Sequence, residues 1–424
     1  MVEPAALAKH AKTLGYLPRA WITLQRWLSV SPGYLERLLL QGQHATLQNL
    51  CQEVLRHDKG RAPSLSGRQA LHYWAKSHYY LGEWEKAEEL LDRLLFAAPW
   101  HADTRYLAAD NARLAGRMGT AWQHLIDLST RSRRLKTWLY MAELVNSTDD
   151  WHRMRAHYDH AIRQRAIRSC HPCLDEHVAK GAQRGGDYTT AKAYWRQILA
   201  CTRSGSGRLK PIYHSRRHRF SVALAGQALE DIQSVLAKAD IPMFLISGTL
   251  LGCMREGNFI GHDHDIDIGV WDDVPLDRLI TAITRAGRFH ILPRRHSGCL
   301  RIKHLTGIAI DLFIHYRESE SVWHGGVKVR WHNTPFTLRD QTFLGRRYWI
   351  PADHETYLTE NYGQWRRPQR GFDSTLDTPN AEILCEQELA LHAYQKYHRA
   401  LIGRCPADIE RYGKLLASLR EPLS

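Results

Sequence analysis

Asp263, Asp265 and Asp267 stand at every second position of His262-Asp263-His264-Asp265-Ile266-Asp267-Ile268-Gly269. Alternate side chains of a strand share a face. The pattern therefore predicts three carboxylates on one side of a sheet, with Ile266 and Ile268 in a core on the other. Such a row repels itself unless a cation joins it. Oxygen-only donors suit a hard ion, Mg2+ or Mn2+, which keeps part of its coordination shell for phosphate oxygens. A solvated amphipathic strand would show the same alternation. Against that bland reading stand the apolar and glycine neighbours, and a further acid inside the otherwise apolar run Ile308-Ala309-Ile310-Asp311-Leu312-Phe313-Ile314.

Ahead of the acids lies Ser247-Gly248-Thr249, which reads as a glycine-flanked turn. Periodicity predicts a helix over Val222–Ala239, a strand from Ile241 to Ser247, this turn, and a short helix from Cys253 to Glu256. The acid strand follows, then a helix over Leu276–Ala286 and strands around Cys299–His304 and Ile308–Tyr316. That order fits a small mixed sheet flanked by helices, with Asp311 rising on a strand beside the first three acids. Glycine lets a backbone approach an anion, the Ser247 or Thr249 hydroxyl donates to it, and the carboxylates hold the screening metal. Arg255, Arg301 and Lys303 are candidate cations for phosphate oxygens. Ion pairs with Glu256 or Asp272 are the competing reading.

The string Ser247-Gly248-Thr249-Leu250-Leu251-Gly252, with Arg255-Glu256-Gly257, Phe259-Ile260 and the Asp263-to-Gly269 segment, resembles the signature of the LicD/fukutin family, a branch of the nucleotidyltransferase-fold superfamily. Trp349-Ile350-Pro351, Tyr357-Leu358 and Tyr362-Gly363 are similar to that family's closing motif. The resemblance implies a metal-dependent phosphotransferase. Such an enzyme moves a phospho-alditol, phosphoglycerol or phosphocholine group from a CDP-linked donor to a hydroxyl of a cell-surface glycan, which is a capsule, lipopolysaccharide or teichoic-acid-like polymer, lipid-linked or free. It also implies metal ligation by Asp263, Asp265 and Asp267, and makes Asp311 a further ligand or the base for the acceptor hydroxyl. Asp265, Asp267 and Asp311 form the implied catalytic set. Ser247, Gly248, Thr249 and Arg255 fall at the donor's phosphates, where Arg301 and Lys303 would join them. His262 and His264 depart from the family pattern, which often carries an aromatic residue or an acid there. His262 is thus a candidate contact to donor or acceptor. Two alternatives stay open: a nucleotidyltransferase attaching a nucleoside monophosphate to a protein or small molecule, and a non-catalytic interaction protein built on repeats.

Those repeats occupy the first two hundred or so residues. Leu81-Gly82 precedes Ala87 as Ala115-Gly116 precedes Ala121, a shift of 34 from position 82 to position 116. Asp149-Asp150 with Ala156, and Gly186 with Ala191, continue the series with a slip, and Leu14-Gly15 with Ala20 precedes it. This is tetratricopeptide spacing, in which small residues let the two helices of a hairpin touch. The array is expected to serve as a scaffold or to hold a protein partner. Trp74, Trp84, Trp122, Trp151 and Trp195 read as its core. The expected fold class is α+β: a tetratricopeptide-like α-solenoid over residues 1–201, a linker over 202–215, a LicD/fukutin-like nucleotidyltransferase-fold domain with a mixed sheet over 216–380, and a helical extension over 381–424. Its helices are predicted at Ala381–His398 and Pro406–Leu419.

A chain of 424 residues exceeds one ordinary core. With 44% hydrophobic residues and a mean hydropathy of −0.44 its composition is that of a globular protein. It has no apolar run long enough to span a bilayer and no leader-like start. The expected location is cytoplasmic, or peripheral at the inner face of the membrane. Eight cysteines without a framework point to thiols in a reducing compartment. Cys170-His171-Pro172-Cys173 lacks the two further ligands of a zinc site. A net charge of +14 attracts anions such as nucleotide-linked donors and acidic glycans. The basic clusters, Arg366-Arg367 among them, carry no nucleic-acid-reading motif, so nucleic acid is disfavoured and they read as solvated faces.

Overall fold

The computed structural model describes residues 31–56, 63–167, 171–204, 221–261, 263–293 and 296–422. His262, Cys170, the Leu14-Gly15-Ala20 signal and most of the expected linker lie outside them.

The described part opens with helices α1 (Pro32–Leu40), α2 (His44–Arg56), α3 (Leu65–Tyr80), α4 (Trp84–Ala97), α5 (Ala102–Leu114), α6 (Met118–Arg131), α7 (Leu135–Leu144), α8 (Thr148–Arg163), α9 (Pro172–Arg184) and α10 (Tyr188–Arg203). The repeat glycines turn the chain between hairpin helices: Gly82, Gly116 and Gly186 have φ of 72°, 77° and 80°, where only glycine is unstrained. Ala87, Ala121 and Ala191, each 0% exposed, are the close contacts. The α8 hairpin departs from this plan. Ala156 is exposed, and Trp151 takes the alanine's place. Gly185 makes room for it, since a Cβ there would stand 2.3 Å from the tryptophan's Cβ. Trp122, Trp151 and Trp195 are core as expected, whereas Trp74 and Trp84 are only half-buried.

Helix α11 (Val222–Lys238) leads into β1 (Met243–Leu245), α12 (Ser247–Arg255), β2 (Asp265–Trp271), α13 (Leu276–Arg285), β3 (Phe289–Ile291), β4 (Cys299–His304), β5 (Ala309–Arg317), β6 (Val322–Gly325), β7 (Val329–Asn333), β8 (Leu338–Phe343) and β9 (Arg346–Pro351). After α14 (His354–Tyr362) come β10 (Ala381–Ile383), α15 (Glu386–Gly403) and α16 (Pro406–Ser418). The sheet is mixed, in the order β10-β7-β6-β5-β2-β1-β9-β8, with β4 on β5 and β3 on β4. One face of its centre, built from Ile266, Ile268, Ile302, Ile310 and Leu312, is fully buried under α11 and α13. Each such side chain contributes roughly 1.5–3 kcal/mol. The other face carries the polar residues considered below.

Two local expectations are corrected. Ser247-Gly248-Thr249 is the first turn of helix α12, and the segment from Ala381 is a short strand before helix α15 begins at Glu386. Glu382 and Ile383 pair with Arg330 and Val329, so the ladder overrides the helical period there. Helices α15 and α16 return to the array, where Leu391, Tyr394 and Leu416 pack with Trp195. Buried Asp373 ties them down through His392 at 2.9 Å, Lys396 at 3.2 Å and the Tyr412 hydroxyl at 2.7 Å.

Between β5 and β6, His315 stacks on His324 at 4.4 Å, walled by Phe313, Phe244 and Trp331. Burial pushes His315 down to about 3 and His324 well below its ordinary value. Below the unfolded value of 6.5 the unfolded chain binds protons that the fold refuses, so stability falls with pH from there towards 3. By about pH 5 each histidine costs about 2 kcal/mol. Urea unfolding near pH 7 and pH 5 should show His324→Phe halving this histidine-dependent acid loss. An unchanged slope in the variant would refute the assignment.

Candidate functional site

Strands β2 and β5 run parallel in a register that sets Asp265 opposite Ala309 and Asp267 opposite Asp311. On the far side of β5, antiparallel β4 sets Arg301 opposite Asp311, and its Nε donates to Asp311 Oδ1 at 3.2 Å. Asp267, Asp311 and Arg301 thus form a row across three strands, on the face opposite the isoleucine core. The strand starts at Asp265, so Asp263 sits on the preceding loop rather than in the ladder. Its Oδ1 accepts the His264 N–H at 3.1 Å.

Helix α12 begins against this row without a capping side chain of its own. Gly248 N–H donates to Asp267 Oδ2 at 3.2 Å, and Asp267 N–H donates to Thr249 Oγ1 at 2.8 Å. The two segments cap each other, and the positive end of the helix meets the acids. Gly248 leaves space where a Cβ would stand 2.2 Å from Asp263 Oδ2 and 3.4 Å from Asp267 Oδ2. Ser247 accepts a left-handed φ of 47° to make the turn into the helix.

Packing around these carboxylates favours their neutral forms. Burial first, then neighbouring Asp263, pushes Asp265 up to about 6. Asp267 is raised well above its ordinary value by burial, then by Asp265, Asp263 and Asp311. Asp263 is raised by burial and shares a hydrogen bond with Asp265. Among the described residues no three acidic, histidine or cysteine side chains converge into a ready-made metal cage. The acids instead take up one another's hydrogen bonds, the Gly248 N–H and Arg301.

The candidate cations differ in their placement. Arg255 donates to the Trp365 carbonyl at 3.2 Å and to Glu256 at 2.8 Å, so the ion-pair alternative describes its present contacts. Arg301 is held by Asp311, and Lys303 is exposed on β4. Beside Asp263 and Gly248 lies a cavity of about 160 Å3, walled also by Arg255, Tyr362, Trp365, Arg367 and Phe372. Sequence reasoning assigned no role to Arg367 or to the aromatic residues of this wall. Arg366-Arg367 looked like any solvated pair, while Tyr362 stood in the closing motif without a function. Burial and the charges of Asp267 and Asp263 drive the Tyr362 hydroxyl upward, which puts that motif on the acid site.

The family description LicD/FKTN/FKRP, nucleotidyltransferase domain, matches residues 240–353. Residues 240–353 are a LicD-family nucleotidyltransferase domain. The ribitol-5-phosphate transferase FKTN of Homo sapiens is 28% identical over 172 residues, 37% of this chain and 36% of that protein. Its Mus musculus counterpart is 25% identical over 209 residues, 46% of this chain and 42% of that protein. An uncharacterised protein of Rickettsia prowazekii (strain Madrid E) is 24% identical over 149 residues, 33% of this chain and 54% of its own length. The chain therefore spans about two fifths of the FKTN relatives. The LicD match begins just before β1, takes in α12, β2 and β5, and ends ahead of α14. Tyr357 and Tyr362 of α14, which close over the LicD acids, lie beyond it, as does the helical array.

Proposed function

We propose that the LicD domain transfers a substituted phosphate, of phospho-alditol, phosphoglycerol or phosphocholine type, from a CDP-activated donor to a glycan hydroxyl. The observation carrying this reading is the row Asp265, Asp267 and Asp311 beside the open N-terminus of α12. Its all-oxygen donors and strained charges fit Mg2+ or Mn2+, held by Asp265 and Asp267 with Asp263 as an outer ligand. When bound, the ion supplies charge neutralisation at the pyrophosphate and the leaving CMP.

The chain's own groups do the rest. The α12 start, with the Gly248 backbone, faces the donor's anionic oxygens. Arg367, which makes no ion pair among the described residues, reaches the same cavity. Tyr362 and Trp365 exclude water and offer faces to the nucleoside. Arg301 fixes the Asp311 carboxylate, which receives the acceptor hydroxyl's proton. The acceptor oxygen forms its bond to phosphorus as the pyrophosphate oxygen leaves with CMP.

Purified protein is incubated with CDP-ribitol, CDP-glycerol or CDP-choline, a divalent ion and surface polysaccharide. CMP released with the head group on the polysaccharide supports the reading. Labelled nucleotide on an acceptor would replace it with nucleotidyl transfer. Ion binding has its own readout. Carboxyl groups raised in the fold cost stability as pH rises from their ordinary value near 3.8 through their folded value, about 6 for Asp265, and the loss is complete above it. Saturating Mg2+ or Mn2+ is expected to raise the melting temperature more at about pH 8 than at about pH 5, where protons compete for the ligands. An equal gain at both values argues against ligation here.

A further inference from the structure

We propose that the cleft between the helical array and β3 is the groove that binds the glycan acceptor, an inference resting on the transferase reading above. The cleft holds about 640 Å3 and is walled mainly by α3, α5, α7 and β3.

Its position follows from the sheet. Directly paired residues on neighbouring strands project to the same face. Asp267 pairs with Asp311, Asp311 with Arg301, and Lys303, two residues beyond Arg301, pairs with His290. The acid face therefore runs on across β5 and β4 to His290, which is itself part of the cleft wall. Three strand spacings make this roughly 15 Å. The cavity beside Gly248, Asp263 and Tyr362 flanks Asp267 on its other side. Attacking and leaving oxygens lie nearly in line through phosphorus. A donor seated in that cavity takes its nucleophile from the β5-β4-β3 side, where the cleft opens.

The chemistry of the walls selects the ligand. Asp103 pairs with Lys136 at 3.3 Å, Asp110 with Arg113 at 2.7 Å and Glu143 with His177 at 3.1 Å. The acids Asp103, Asp110 and Glu143 are matched in number by Lys76, Arg113 and Lys136, so the cleft has little net field for an ion but many donors and acceptors side by side. A sugar hydroxyl is both donor and acceptor, and matches such a wall. Tyr140 stacks at 4.5 Å on the buried Tyr106 ring, with the Lys136 ammonium over both rings, and its exposed part gives flat apolar surface for the C–H face of a pyranose.

The wall is also rigidly tied to the sheet. Arg113 donates to the Ile291 carbonyl at 2.7 Å, and the Tyr79 hydroxyl is bonded to both Asp110 and His290. A groove fixed in this way orders its ligand without first ordering itself.

The test is calorimetric titration with delipidated surface polysaccharide from the source cells. Tyr140 is 37% exposed, so its truncation leaves the core alone. Tyr140→Ala is expected to weaken polysaccharide binding roughly tenfold or more, and Tyr140→Phe to retain it. Asp267→Asn should bind the polysaccharide like the parent although its turnover is lost. Full binding by Tyr140→Ala, or no binding by the parent, overturns the inference and leaves the groove to a peptide or to packing. Polysaccharide binding that depends on Tyr140, with no CMP released from any donor, supports the groove and sinks the transferase reading alone.

Discussion

Asp267→Asn is expected to lower turnover by on the order of 1000-fold or more and yet to raise the melting temperature of the metal-free protein. Asparagine has the same shape and keeps an oxygen for the Gly248 N–H, which Asp267 Oδ2 accepts at 3.2 Å. It has no carboxyl whose ionisation is opposed by burial and then by Asp265, Asp263 and Asp311. The substitution thus removes a costly ionisable group from the apoprotein and a ligand from the ion. An ion's neutralisation of transition-state charge is worth several kcal/mol, and about 4 kcal/mol corresponds to the stated factor. CMP release, and thermal melting with and without Mg2+, check both halves. Parent-like turnover would show that the row is structural. A lower apoprotein melting temperature would show instead that the Asp267 carboxyl stabilises the fold, against the reading of an opposed acid row.

The acid row was legible in the sequence because its signals are local. Alternation of acids with isoleucines sets the two faces of β2 without reference to any other segment, and a lone acid in an apolar run marks its neighbour on β5. The start of α12 was not legible. Ser247-Gly248 reads as a turn because the helix has no capping side chain at Ile246, and its Gly248 N–H is served by Asp267, nineteen positions on. A cap supplied through tertiary structure leaves no trace in a window of neighbours.

The present contacts of the candidate cations were not legible for a related reason. Arg255 and Arg301 stand in or beside the motifs, but the fold holds them on Glu256, Trp365 and Asp311, while Arg367 comes to the cavity from the loop after α14. Ion pairing is decided by which strands and loops meet. The helical region shows the same division: the glycines of its turns and the alanines of its contacts repeat visibly, whereas the exchange of Trp151 against Gly185 couples two successive hairpins and breaks the period.

Gly248→Ala is expected to lower turnover about 100-fold while leaving stability nearly unchanged. Alanine in the first turn of a helix is intrinsically favoured over glycine by roughly 0.5–1 kcal/mol. Here the new Cβ would also stand 2.2 Å from Asp263 Oδ2 and 3.3 Å from Asp263 Cγ. The obstructing atoms end a flexible side chain on a loop, so Asp263 can swing away at little cost to the fold. Relief of the clash and helix propensity then roughly cancel in stability. Function has no such exit, since the methyl group covers the helix start where donor oxygens must approach, and the outer ligand has left its place. The effect should therefore fall on the apparent affinity for donor and ion as well as on turnover, with a loss comparable to removing one preorganised donor. Kinetics at varied donor and Mg2+, set beside thermal melting, separate the two. Parent-like kinetics in a folded Gly248→Ala protein would mean that nothing reacts against this helix, and that the glycine serves packing alone.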